Sequence, residues 1–325
     1  MRSNATTYFI RLLSLLIATS ALSVSGASQA EPLRIGVTLH PYYSYVTNIV
    51  GEYADVIPMI PEGFNPHAYE PRAEEIKRVS TLDVVVLNGI GHDDFAERMI
   101  AASEKPTIPI IEANKDVPLL PAIGAMNQSR QGGQSIVNAH TFLSITGSIR
   151  QLQTIAKELG KLDPEHASIF RKNARSYAKT LRKIRANALA QLTQIPGDQL
   201  RVATIHGAYD YMLREFGIEV TAVVEPAHGI EPSPSQLAKT IDMIRNLDVD
   251  IIFSELNFPS PYVDTIRRET GVQLYPLSHI IYGAYYPEKF EKEMAENFQT
   301  VVRAIKEMSS QGQPLVNVKT TEVGS

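Results

Sequence analysis

The chain has 325 residues, 44% of them hydrophobic and 20% charged, with no cysteine and no low-complexity block. That is a globular composition, long enough for two domains, whose stability must come from buried apolar surface rather than disulfides. Two of the 31 basic residues, Arg2 and Arg11, lie in the first thirty, which hold no acid. The rest therefore carries 29 basic against 35 acidic side chains. That balance argues against nucleic-acid binding, which needs clustered positive charge.

Residues 1–30 read as a secretory signal peptide. A basic start precedes an apolar run from Leu12 to Val24, and Ser28-Gln29-Ala30 supplies small residues for cleavage. The apolar part is too short for a convincing membrane span. With no cysteine for lipid attachment, the expectation is a soluble periplasmic protein that is not a lipoprotein.

From Leu33 onward strands and helices alternate, the signature of a parallel α/β sheet. Strands are expected at Leu33 to Thr38, Asp55 to Ile60, Asp83 to Leu87 and Thr107 to Glu112, with helices near Tyr45 to Val50, Glu74 to Val79 and Asp93 to Ala102. Asn114 to Val137, with its prolines and polar run Gln128 to Ser135, breaks the pattern and reads as a surface loop. Asp163-Pro164-Glu165 reads as a helix start, and Phe170, Ala174, Tyr177, Leu181, Ile184 and Ala188 continue it at helical spacing to about Leu192. At 1.5 Å per residue this helix is roughly 45 Å long, suited to a strut between two halves.

The alternation then resumes. Strands are expected at Arg201 to Ile205, Glu219 to Val224, Asp250 to Glu255 and Val272 to Leu277. Helices are expected at Tyr209 to Phe216, Ser235 to Asn246, Tyr262 to Thr270 and Glu288 to Met308. The expected fold class is therefore α/β: two parallel-sheet lobes, 31–162 and 194–325, joined by one long helix over 163–193. The tail after Gly312 should fray.

Four of the eight histidines sit where such sheets bind ligands, beyond the carboxyl ends of strands or at loop-to-helix junctions. His67 lies in a loop bracketed by Pro66 and Pro71, His206 ends a strand, His279 follows the last strand, and His140 precedes a helix. Each alone is more simply a structural or solvated residue. Together they place two imidazoles in each half, and imidazole is the commonest side-chain ligand for borderline divalent metals. Glu255, at the end of a strand, is a further ligand or a hydrogen-bond partner of one. His228 is an outside candidate, His92 and Asp93 could line the entrance, and His40 is a weaker candidate to touch the cleft. His166 reads as solvated.

The chain resembles the solute-binding proteins of zinc/manganese ABC uptake systems. The resemblance rests on G-F-N-P-H-A-Y-E-P-R-A-E-E-I-K at Gly63 to Lys77, D-V-V-V-L-N-G at Asp83 to Gly89 and A-H-T-F-L-S at Ala139 to Ser144. It extends through D-P-E-H-A-S-I-F-R-K-N-A-R-S-Y at Asp163 to Tyr177, I-H-G-A-Y-D-Y-M-L-R-E-F-G-I at Ile205 to Ile218 and E-P-S-P-S-Q-L at Glu231 to Leu237. It implies two lobes on a long helix with a metal site in the cleft, and places the family's first three ligands on His67, His140 and His206. The acidic fourth ligand usual in the family aligns with Ser278, and the adjacent His279 is its expected replacement. Asn138-Ala139 stands where the family commonly has Asp-Pro, which bears on how the His140 ring is held.

The resemblance implies capture of Zn2+, with Mn2+ or Fe2+ as alternatives, and delivery to a membrane permease, by a monomer that is not an enzyme. An imidazole-rich shell favours zinc, whereas an acid in place of His279 would favour the harder ions. A secreted zinc hydrolase with Glu255 as general base is a second reading, but the chain has neither an H-E-x-x-H helix nor a nucleophile elbow. A binding protein for an organic solute, its pocket lined by histidines, is a third.

Overall fold

The computed structural model describes residues 31–64, 66, 69–123, 136–192, 194–195, 200–224, 233–256, 260–310 and 316–317. The signal-peptide reading, the run Gln128 to Ser135, His67 and His228 lie outside the described residues. So does the tail except for Val316–Asn317, which pairs antiparallel with Gln194–Ile195.

Two four-stranded sheets, all parallel, form the two lobes. The first contains β1 (Leu33–Val37), β2 (Ala54–Pro58), β3 (Val84–Leu87) and β4 (Ile110–Glu112) in the order β2-β1-β3-β4. Helices α1 (His40–Val50), α2 (Ala73–Val79) and α3 (Asp94–Ala102) make its crossovers. The second repeats the order with β5 (Val202–Thr204), β6 (Val220–Val223), β7 (Ile251–Glu255) and β8 (Gln273–Leu277) as β6-β5-β7-β8. Its crossovers are α6 (Asp210–Arg214), α7 (Pro234–Asn246) and α8 (Ser260–Thr270). In each sheet the first strand lies between the second and third. The chain therefore reverses its winding there and opens a crevice at the carboxyl ends.

The first lobe ends in α4 (Ile145–Leu162), which packs along α5 (Ala167–Leu189), the helix that leads to the second. The helix expected from Asp163 starts later, at Ala167. Asp163 instead closes the turn after α4: its carboxylate accepts the His166 backbone N–H and lies 2.7 Å from His166 Nδ1. His166 is thereby half-buried beside Tyr53 rather than solvated. The 23 residues of α5 span roughly 35 Å.

Period-2 burial divides each sheet between two cores. Val84 and Val86 face a central core while Val85 and Leu87 face an outer one with Phe95 and Met99. In the second sheet Ile251 and Phe253 face the central core and Ile252 the outer one with Ile266. The central core is shared by both lobes: it joins β1 and β3 to β5 and β7 through Phe170, Tyr177 and Leu181 of α5 and through α9 (Lys289–Ser310). Helix α9 follows the second sheet in sequence but packs onto the first lobe. Phe290 meets Tyr45 edge-on at 4.8 Å, and its backbone N–H donates to Ser44 Oγ.

A second tie lies beside it. His40, in the first turn of α1, is fully buried, stacks on Tyr285 with ring centroids 3.9 Å apart, and has Nε2 2.8 Å from the Gly283 carbonyl. The Tyr285 N–H donates to Glu62, and Asn48 donates to the Pro287 carbonyl. The sequence leaves His40 near the cleft, but the structure uses it to fasten the 283–287 loop to the first lobe.

A core common to both lobes should make residues 31–310 unfold in one cooperative transition, checked by equality of calorimetric and van't Hoff enthalpies; two resolved transitions would contradict it. The His40 tie should also be sensitive to acid. Burial, with a smaller contribution from Lys289, lowers the His40 pKa to about 4. The folded state therefore holds the ring neutral, so this stabilisation is complete above pH 6.5 and drains away as pH falls toward 4. The loss is on the order of 3 kcal/mol by pH 4. His40→Gln, whose amide can still donate to Gly283, should flatten that slope in urea unfolding measured at pH 7 and pH 4.5.

Candidate metal centre

The strand ends bring four imidazoles together. His92 follows β3 through the turn Asn88-Gly89-Ile90-Gly91, in which Gly89 and Gly91 take φ of 75° and 98°, a region that disfavours L side chains. Asp93 staples this turn to the sheet. Its carboxylate accepts Thr38 Oγ1 at 2.6 Å and the N–H groups of Asn88 and Gly89 at 2.6 and 3.2 Å. Burial raises the Asp93 pKa, against the pull of those three donors.

His140 stands before the short helix Thr141–Leu143. A buried amide and hydroxyl network fixes that segment. Asn88 Nδ2 donates to the Ala139 carbonyl, Thr141 Oγ1 donates to Asn114 Oδ1 at 2.6 Å, and Gln151 donates to both Asn114 and Thr141. Asn138 Oδ1 accepts the His140 backbone N–H at 3.0 Å and lies 2.9 Å from His140 Nδ1. With Nδ1 as donor to that oxygen, the lone pair of His140 is on Nε2. The same Asn138 side chain donates through Nδ2 to the Gly207 carbonyl at 2.8 Å, next to His206 in the other lobe.

His206 follows β5, and its Nε2 lies 3.2 Å from His140 Nε2. Two nitrogens about 2.0–2.1 Å from one tetrahedral ion would be separated by about 3.3 Å. His279 follows β8, and the ligand atoms of His92, His140 and His279 lie within 4.8 Å of one another. All four rings are buried. Glu255, at the end of β7, places Oε1 3.3 Å from His279 Nδ1, so the Nε2 edge is the one directed away from the carboxylate. Phe142 walls the group, 5.3 Å from His92 edge-on and stacked 6.1 Å from His279. A hollow of about 120 Å³ reaches His92 from the side of Tyr69, Glu70 and Arg98.

Ser278, the neighbour of His279, points elsewhere. Its N–H donates to Asn297 Oδ1 at 2.7 Å and its hydroxyl to Glu293, both on α9. Ile280 then takes φ 60°, a strained value for a β-branched residue, and the reversal places His279 against the other rings. Of the histidines singled out in the sequence, His140, His206 and His279 converge. His67 and His228 lie outside the described residues, and the His92 ring, read as an entrance residue, joins the cluster. The rule that selects His206 and His279, a position just past a strand's carboxyl end, also applies to His92.

Residues 35–304 match the family model described as ZnuA, zinc-uptake complex component A, periplasmic, and the chain belongs to that family. It is 67% identical to the substrate-binding protein FpvC of Pseudomonas aeruginosa, solved in complex with Mn2+. That match covers 86% of this chain and 100% of FpvC with a TM-score of 0.80. A second FpvC structure, with Ni2+, aligns over 86% of this chain and 98% of its own with a TM-score of 0.79. The manganese-binding lipoprotein MntA of Halalkalibacterium halodurans is 24% identical over 84% of this chain and 88% of its own length. The zinc-binding lipoprotein AdcA of Streptococcus pneumoniae is also 24% identical, over 96% of this chain, which spans 63% of AdcA.

These relatives correct one expectation. MntA and AdcA are named as lipoproteins, so the reading of a free protein that is not a lipoprotein does not stand. It rested on the lack of cysteine, a property of this sequence that does not carry over to how family members are anchored.

The Asn138 bridge gives a direct test of the site's framework. Asn138→Ala removes the acceptor on His140 and leaves the Gly207 carbonyl buried without its donor. Stability should fall by about 1–3 kcal/mol in urea titrations. Divalent-metal affinity should fall by about 10- to 100-fold in competition titrations. Unchanged affinity would show that the His140 ring needs no such support.

Proposed function

We propose that the chain captures one divalent transition-metal ion between its lobes and delivers it to the permease of an ABC importer. The observation that carries this reading is the convergence of four buried imidazoles, with the Nε2 atoms of His140 and His206 3.2 Å apart. The ligand set we infer is His140, His206 and His279 with His92, and His67 as the further candidate that sequence resemblance supports. Glu255 acts through His279, polarising its ring, rather than as a ligand. The lobe boundaries that go with this are 31–162 and 194–325 on either side of 163–193, and the working unit is a monomer.

Zinc is the preferred cargo. Imidazole suits zinc better than manganese or ferrous iron, which bind best with carboxylate and water in the shell. Relatives named for zinc and for manganese, and FpvC with Mn2+ and Ni2+, support a divalent transition metal without selecting among them. The reading is of a carrier rather than an enzyme, because ligands supplied from both lobes close the shell, whereas a catalytic metal keeps a position open.

The test is competition titration of metal-free protein with Zn2+, Mn2+ and Fe2+, the last without oxygen. His140→Ala and His206→Ala should each weaken zinc at least about 100-fold, on the order of 3 kcal/mol. His92→Ala and His67→Ala, measured side by side, decide which of the two completes the shell. If His140→Ala, His206→Ala and His279→Ala all bind zinc like the parent, the ion is held elsewhere and the proposal fails.

A further inference from the structure

Helix α5 is strongly basic in a chain of net charge −4, with four arginines, three lysines and no acid over Ala167–Leu189. Among these, Arg185 pairs with Glu215 on the neighbouring lobe. On the face toward α4 the charges surround a cavity. Gly160 lets the two helices touch near their connecting turn, where a Cβ on it would meet Ala167 at 3.0 Å. Farther along, a cleft of about 350 Å³ opens between them. Its floor is Ala156, Ala174 and Ala178, all buried, and its rim is Lys157, Arg171, Arg175 and Arg182, all exposed.

No carboxylate lines this cleft, and among the described residues none of the four rim cations makes an ion pair or a side-chain hydrogen bond. Four like charges around one hollow repel one another, a cost relieved when an anion enters. The floor adds a second requirement. Alanines sit where longer side chains would fill the space, so the hollow offers apolar surface of a volume that small ligands occupy. An inorganic anion would satisfy the rim and leave the floor wet. A membrane surface would be met by protruding apolar side chains, yet among the described residues none of the exposed large hydrophobics lines the cleft.

We propose that the α4–α5 cleft binds a small amphipathic organic anion. Its carboxylate, sulfonate or phosphate group is held by Arg171, Arg175, Arg182 and Lys157, and its apolar body lies on Ala156, Ala174 and Ala178. The cleft shares no residue with the histidine cluster, so the two proposals stand or fall separately.

The probe is 8-anilinonaphthalene-1-sulfonate, titrated into the full chain by fluorescence and calorimetry. Uncharged N-phenyl-1-naphthylamine and inorganic sulfate serve as controls. One saturable site is expected, with the sulfonate bound at least about tenfold more tightly than the uncharged analogue. Arg171→Glu with Arg175→Glu should weaken the sulfonate by at least about tenfold, and Ala174→Leu should weaken both organic probes by filling the floor. An unchanged thermal transition and zinc titration show that a variant is folded; if the glutamate pair unfolds, Arg171→Gln with Arg175→Gln replaces it. Equal sulfonate affinity in the folded charge variants, or weak binding without saturation, would overturn the proposal. Sulfate competing as well as the organic anion would also overturn it, because the floor would then contribute nothing. Co-sedimentation with phosphatidylglycerol vesicles, lost in the charge variants and without a saturable probe site, would overturn it in favour of a membrane-facing surface.

Discussion

The Asn138 side chain is the contact on which the centre's geometry depends. One amide group holds the His140 ring through its oxygen and the Gly207 carbonyl of the other lobe through its nitrogen. Imidazoles that are to share an ion must be about 3.3 Å apart at their nitrogens, with those nitrogens unprotonated. A neutral acceptor on Nδ1 fixes the tautomer without adding charge to a buried site. An Asp in its place would add one. The same amide is bonded next to His206, so it couples the orientation of the His140 ring to the contact between the lobes at the site.

Supporting Asn138 is a polar network whose members are otherwise costly to bury. Asn88, Asn114, Thr141 and Gln151 bond one another beside His140, and Asp93 ties the His92 turn to Thr38, just past β1. A network of this kind is rigid when its members are satisfied and expensive when one is removed. Apolar packing alone would have left the 88–93 turn and the 138–141 segment free to slide, because neither contains a run long enough to anchor itself.

Strand alternation is legible in the sequence because parallel strands buried on both faces are apolar runs, as in Asp83-Val84-Val85-Val86-Leu87, and ends of helices and strands agree to within a few residues. The start of α5 is not, because Asp163 and Pro164 satisfy the usual N-terminal pattern and still serve a turn, a choice made by the neighbouring His166 and Tyr53. Three candidate ligands are legible from position after a strand or before a helix. His92 obeys the same rule, but its sequence neighbours give no sign that the turn folds inward; that depends on Asp93 bonding Thr38, 55 residues away. Whether Ser278 or His279 faces the site is likewise settled outside the motif, by Asn297 and Glu293 on α9. His40 cannot be assigned from local sequence because its partner, Gly283, is 243 residues distant.

The ties between the lobes constrain how any cargo enters and leaves. The shared core, α9 packed against Tyr45, and the His40–Tyr285 stack fasten the lobes away from the histidines. A wide hinge opening would expose that core, and each large apolar side chain uncovered costs roughly 1.5–3 kcal/mol. Moving the segment 278–280 breaks only a few hydrogen bonds to α9, of about 1 kcal/mol each for neutral partners and more for the one to Glu293. Of the two routes, local rearrangement at that segment is therefore the less costly. The strained φ at Ile280 lies within that segment, so moving His279 would release strain held there.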